Sequence, residues 1–509
     1  GSGLSNGNLD LDGSSNFFQS TIMVDSGKYY FEFTKNSDGD NQFGIGYGGS
    51  SAGSTGFRRV WRDNNGSPVW LTDGSNAGSG TALSCAVGDV IGVALDMDNN
   101  AVYFSKNGTY MNSGDPTSGS SKTGAIWTDL SGQSWGPNAG SNANGVDCSL
   151  NTGQRAFAYS APSNYKALCT TNLPTPTIAD GSDYFDTKLY TGNLSTNAIT
   201  GLEFSPSFIW IKSRTNSGSA HFLSDVVRGG TKVLKSDSSG AEFTRSNHIQ
   251  SFDSNGFTLG ADGTSNLNND SLVAWCWDAG SSTVTNTDGS VSAQVRVNQT
   301  AGFSCVTYDG QDTASETIGH GLNAKPGLIW VKRRDASGND WATYHPALGA
   351  TKTISLNKKT TSTTTNGPWN DTEPTSSVFS VGTFNQTNSS GTHVAYCWAP
   401  VAGYSAFGSF TSNNSNDNAF VYLGFRPKFI IIKGDYSATA SWYLIDTSRD
   451  PHNPVQEILK AEDDVSEASA TLLDAVSNGF KFRFNLGTNE VLYMAWAENP
   501  FQANGGLAR

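Results

Sequence analysis

Apolar residues come in runs of four to seven, rich in Ile, Val, Phe, Tyr and Trp and bounded by Gly, Asn, Asp and Ser. That length and composition predict β-strands throughout. One run recurs: FIWIK at 208–212, LIWVK at 328–332 and FIIIK at 429–433. Before its Lys each copy is apolar at successive positions, the pattern of a central strand covered on both faces. Residues 457–476 look helical by composition, but their counterpart at 233–252 fits no helix, so a short strand followed by a loop with a helical turn is expected.

The recurrence extends well beyond the strand. Pro206, Pro326 and Pro427 stand six residues before Lys212, Lys332 and Lys433, and His221, Trp341 and Trp442 follow each Lys by nine. SNGFTLG (254–260), SVFSVG (377–382) and SNGFKFR (477–483) come next, and VAWCWDAG (273–280), VAYCWAPV (394–401) and MAWAENPF (494–501) close each copy. From the Lys to the Ala of that closing motif the spacing is 62, 63 and 62 residues. The expected plan is a connector at 1–10, a different β domain at 11–169, and a linker at 170–183. β repeats follow at 184–280, 302–401 and 402–501, with a connecting segment at 281–301 and a tail at 502–509.

The segment 11–169 carries SGKYYFEF (26–33), FGIGY (43–47), GDVIGVALDMDNNAVYFSKNG (88–108) and NTGQRAFAYSAP (151–162). Residues 90–104 read as a hairpin leading to an Asn107-Gly108 turn. These motifs, in this order, resemble a SPRY domain, and the resemblance implies a concanavalin-type antiparallel β-sandwich that binds partners through loops at one end. The whole is therefore all-β: a SPRY-like sandwich, then three sandwich-like repeats. With SPSFIWIK, VRGGTKVL, SFDSNGFTLG and VAWCW following, the order is similar to tail-fibre-like virion proteins of marine tailed bacteriophages. That resemblance implies a virion-surface or extracellular location but supplies no catalytic residue.

Charge and candidate chemistry narrow the reading. Charged residues make up 15% of the 509, with net charge −13 and pI about 4.9, which argues against a nucleic-acid partner. The apolar runs are too short for a membrane-spanning helix. Six Cys form no disulfide framework in a chain this long, and Cys276 and Cys397, inside apolar strands, are expected to be free and buried. The six His lack metal-ligand spacing and read as lone surface or strand-end residues, and no metal or cofactor is expected. DMDNN (96–100) lacks the Gly and Glu of a calcium loop and reads as a turn. Asp225 with Arg228, and Asp446 with Arg449, read as surface ion pairs at a loop; the middle repeat has His345 and Leu348 there.

Trp residues among Gly, Asn and Ser point to binding, because aromatic faces stack on sugars or fill peptide pockets. The candidate ligand-binding residues are Trp61, Trp70 and Trp135 with Arg58, Arg59 and Arg62 in the SPRY-like segment, and Trp369 in an apparent insertion of the second repeat. The function expected is a non-enzymatic virion appendage protein, a tail fibre or similar, that contacts host-surface glycan or protein and other virion proteins. A homo-oligomer is expected, a trimer by analogy with other fibres. A glycan-degrading tailspike and a purely structural decoration protein or adhesin are the alternatives.

Overall fold

Alternation in the GDVIGVALDMDNNAVYFSKNG stretch produces the hairpin expected of it. In the computed structural model Val90–Asp96 pairs antiparallel with Ala101–Lys106. Positive φ at both Asn107 (50°) and Gly108 (79°) then turns the chain tightly into Thr109–Tyr110, as a two-residue hairpin loop requires. Asp96 closes the turn: it accepts from Asn99 across it and pairs with Lys28 at 2.9 Å. The structure describes residues 4–5, 9–13, 17–47, 58–64, 68–72, 75–78, 80–141, 146–365 and 367–502. Most of the expected tail and part of the expected N-terminal connector lie outside these. The chain divides into two units, Gly1–Thr175 with two short later segments, and Pro176–Asn418 with Leu423–Ala503.

The first unit is a two-sheet sandwich. One sheet runs, in spatial order, Leu4–Ser5, Asp10–Gly13, Val146–Asn151, Lys28–Lys35, Val90–Asp96, Ala101–Lys106 and Thr109–Tyr110, with Lys166–Ala167 parallel to Lys28–Lys35. The other runs Phe17–Gln19, Trp135–Gly140, Asp40–Tyr47, Arg58–Asn64, Val69–Thr72 and Ser75–Asn76.

In the second unit each repeat builds the same four-stranded core in the same order. In the first it is Phe185–Thr191, Ser271–Trp277, Phe208–Ser213 and Phe222–Asp225; in the second, Phe303–Gly310, Gly391–Trp398, Leu328–Arg333 and Ala342–Tyr344. In the third it is Ser405–Thr411, Glu490–Pro500, Phe425–Gly434 and Trp442–Asp446. Segment 457–476 holds no helix but parts of two strands, Val455–Lys460 and Ala468–Val476. The connecting segment 281–301 contributes Thr283–Asn286 and Ala293–Asn298 to the sheet of the second repeat. In the third repeat the residue of the closing strand opposite the Lys is two positions earlier than the Ala spacing implies. Lys212 faces Val273 and Lys332 faces Val394, but Lys433 faces Leu492. A slip of two keeps every side chain on its face, and it makes Trp496 the counterpart of Trp277 and Trp398.

Strand alternation gives each sheet two different tasks. Ile209, Ile211, Ala274 and Cys276 point into the repeat's own core, against Phe257 and Leu259 of a smaller second layer. Phe208, Trp210 and Trp277 lie on the opposite face, and their rings meet rings of the other repeats: Phe208 reaches Tyr396, Trp210 reaches Trp330, and Trp277 reaches Trp398 and Trp496. Trp277, Trp398 and Trp496 thus touch one another, one from each repeat, with centroids 6.1, 5.9 and 5.5 Å apart and planes at 67–75°. The repeats, expected as a string, close on one another around this triangle. None of the three indole N–H groups has a hydrogen-bond partner. Edge-to-face packing sets N–H and C–H edges against π faces, which offsets part of that loss.

Polar contacts repeat the same cycle. Lys212, Lys332 and Lys433 are fully buried, and each donates to a backbone carbonyl of another repeat: Asp464, Ser239 and Lys359 at 3.4, 3.3 and 3.0 Å. Burial pushes all three ammonium groups down to about 8. The residues nine positions on take the same direction. His221 bonds the carbonyl of Lys460, Trp341 that of Lys235, and Trp442 those of Ser355 and Lys358. First reaches third, second reaches first, third reaches second.

His221, His248, His320, His345 and His393 are all fully buried, where surface or strand-end positions were expected. The cause is that each ring spans backbone or side-chain groups inside the unit, His345 for example bonding the Tyr493 carbonyl at 3.2 Å. Burial holds His221 well below the ordinary histidine value and the other four at about 4. Between about pH 6.5 and 4 the unfolded chain therefore binds protons that the folded chain refuses, so stability falls as pH falls through that window, by up to about 3 kcal/mol per histidine. Urea midpoints recorded from pH 7 to 4 are expected to hold near pH 7, below the range in which the three lysines titrate, and to drop steadily below pH 6.5. A flat profile down to pH 4 would show that these rings titrate normally.

Candidate functional site

The residues singled out from sequence go to the interior. The stretch 58–71 is not a loop: Arg58–Asn64 pairs with Val69–Thr72 and sets Trp61 opposite Trp70. Phe43, Trp61 and Trp70 form a row across the sheet, and Trp70 continues to Phe104 and Trp127. Trp135 opens the strand Trp135–Gly140, packs on Tyr47 at 4.9 Å, and donates to the Leu130 carbonyl at 2.8 Å. Trp369, expected to be exposed, is buried against Tyr344 and Phe379. None of the four presents a free face for stacking, because each supplies bulk that its core needs.

The arginines are committed as well. The Arg58 guanidinium lies 3.9 Å from the Phe17 ring, Arg59 pairs with Asp129 at 3.2 Å and lies over Trp135, and Arg62 forms two bonds to buried Asp40 at 2.6 and 2.7 Å. The Asp225–Arg228 and Asp446–Arg449 pairs are not surface pairs; all four side chains are buried where repeats meet. Arg228 also donates to Tyr396 and Glu242, and Glu242 accepts from Arg334 of the second repeat. Trp275 donates to Asp446 at 3.0 Å, and Glu467 links Arg449 to Arg214 of the first repeat.

A surface groove that sequence reasoning missed lies in the third repeat, with a volume of about 730 Å³. On the strand Ala468–Val476, Leu473 and Ala475 bury while Asp474 between them turns to the groove; Thr471, three positions back, reaches the same groove because the pairing with Val455–Lys460 shifts register between them. Phe480 and Phe482 of Gly479–Phe482 are buried, but the strand ends there, and Phe484 keeps the same parity beyond it with 38% of its surface exposed. Asn416 and Asp417 come from the loop after Ser405–Thr411, and Pro454 closes one end.

Charge in the groove is paired. Arg483 holds Asp474 through Nε at 2.7 Å, and Lys481 meets Asp417 at 2.9 Å. The Lys481 ammonium keeps the Asp417 carboxyl below its usual range, although 78% of that side chain is exposed. Two carboxylates and two cations leave no net local charge. The sequence signal was the alternation GFKFRF at 479–484, three aromatics in step where the sheet accommodates two.

Residues 180–500 match the family described as a domain of unknown function, DUF7483, and because that is more than half of the chain, the protein belongs to this family. Residues 28–125 match the SPRY domain. Among solved structures, the chain is similar to the SPRY domain of human HERC1 at 16% identity, covering 30% of this chain and 93% of that one, with a TM-score of 0.23. It is also similar to the TRIM65 PSpry domain at 14% identity, covering 29% and 83%, with a TM-score of 0.23. No curated protein matches.

Replacing Trp61 or Trp135 with Ala is expected to destabilise the first unit by about 3–5 kcal/mol, the usual cost of emptying a large aromatic site. Phe484→Ala is expected to change stability by less than about 1 kcal/mol, since the ring is already partly solvated. Urea unfolding of the three variants checks both. Similar midpoints for all three would show that the SPRY tryptophans are not core.

Proposed function

We propose that this chain is a non-enzymatic attachment protein of a virion appendage, a tail fibre or similar, that binds the host cell surface. The observation that carries the reading is the SPRY domain at residues 28–125, a fold used for binding partners, joined in one chain to a closed three-repeat unit. The repeat unit supports it as scaffold: its inner sheet faces and buried ion pairs are spent on closure, and its groove lies outside them. The acidic chain gains nothing from charge attraction to an anionic envelope, so short-range contacts must supply affinity. Copies held in a homo-oligomer, a trimer by analogy with other fibres, would turn weak sites into avid ones.

Purified protein is expected to adsorb to host cells and to reduce virion adsorption to them in proportion to its concentration. Release of reducing sugar from host polysaccharide would replace this reading with a tailspike enzyme, and absence of both adsorption and competition would leave a decoration protein.

A further inference from the structure

We infer that the third-repeat groove is a binding site for a neutral saccharide. The inference deepens the attachment reading and rests on it for its biological setting. A volume of about 730 Å³ suits a small ligand or a few sugar residues. The lining combines one exposed aromatic ring, Phe484, with carboxylate, guanidinium, amide and hydroxyl groups from Asp417, Arg483, Asn416 and Thr471. A wholly apolar ligand would strand those polar groups, at a cost of a few kcal/mol each. A wholly polar one would leave the phenyl ring uncovered. A pyranose has both surfaces: a C–H face that packs on an aromatic ring, and a rim of hydroxyls.

The electrostatics select among sugars. Asp474 and Asp417 are matched by Arg483 and Lys481, so an anionic sugar meets no free cation and approaches an exposed carboxylate first. A neutral sugar can donate hydroxyls to Asp417, whose Oδ1 is already oriented by Lys481. Arg483 lies 3.9 Å from that same oxygen while bound to Asp474, so its position is fixed before ligand arrives. Pre-set partners lower the ordering cost of binding.

The test uses the full chain with maltotriose, lactose and triacetylchitotriose as neutral probes and trigalacturonate as the acidic one, read by saturation-transfer NMR and titration calorimetry. At least one neutral probe is expected to bind with Kd on the order of 1 mM, the affinity of a few contacts. Phe484→Ala and Asp417→Asn are each expected to weaken it at least tenfold with unchanged urea midpoints. The inference is overturned if no neutral probe binds, if trigalacturonate binds as tightly as the best of them, or if both variants bind like the parent. Cell adsorption separates the two readings: adsorption by Phe484→Ala equal to the parent removes the groove but leaves attachment, whereas sugar binding without adsorption removes attachment and leaves the groove.

Discussion

The second unit depends on covering the inner faces of three sheets. Each repeat of about a hundred residues presents large aromatics on the side its own second layer does not reach, and a sheet with both faces apolar is not stable with one face in water. Closing three such faces on one another removes the problem, and the triangle of Trp277, Trp398 and Trp496 is where the three meet. A row of repeats would have left an exposed aromatic face at each end. A closed set of three has no ends. The buried lysines follow from the same constraint: a long side chain on the inner face must find acceptors there, and the carbonyls of another repeat supply them.

The three junctions share a geometry but differ in chemistry. At the first–second junction Asp225 accepts from Tyr396 beside Arg228, and at the third–first junction Asp446 accepts from Trp275 beside Arg449. At the second–third junction the facing residue is Met494, which has no donor, and His345 with Leu348 replaces the Asp–Arg pair. The Glu242–Arg334 and Glu467–Arg214 links likewise become Ser362 bonded to Asp435. Removing a donor on one repeat thus accompanies removal of the carboxylate on its neighbour, which avoids leaving a buried charge alone. The middle repeat's departure from the Asp–Arg pattern thus coincides with a change in the residue on the third repeat's closing strand.

Much of this fold was legible in the sequence. The repeated FIWIK run, the Pro-to-Lys spacing and the Asn107-Gly108 turn rest on local periodicity and turn chemistry, and these identify strands and repeats directly. Ring closure was not legible, because spacing along the chain says nothing about which sheets face one another. A clue was present in VAWCW, where Trp275 and Trp277 share one face while Ala274 and Cys276 share the other. That is more apolar area than a small sandwich covers alone. The burial of the candidate tryptophans was hidden for a related reason: Trp among Gly and Asn reads as loop-borne, whereas the length of 58–71 accommodates two paired strands, and a tryptophan on such a strand of a sandwich is drawn to the core.

Phe484 shows where function becomes visible once packing is accounted for. Among the described residues all thirteen tryptophans are buried, so the aromatic class that suggests binding most strongly is consumed by structure. Of the aromatics left accessible, Tyr436 and Phe484 among them, Phe484 continues a buried row past the end of its strand. Its exposure is set by where Gly479–Phe482 stops pairing, and the polar groups around it come from loops and strand edges that closure does not use. Residues of the inner faces are held by partners from two repeats at once, so changing one disturbs a junction. The groove has no such obligation. A surface that can vary without disturbing the junctions is where recognition can be adjusted to a ligand, and in the second unit the third-repeat groove meets that condition.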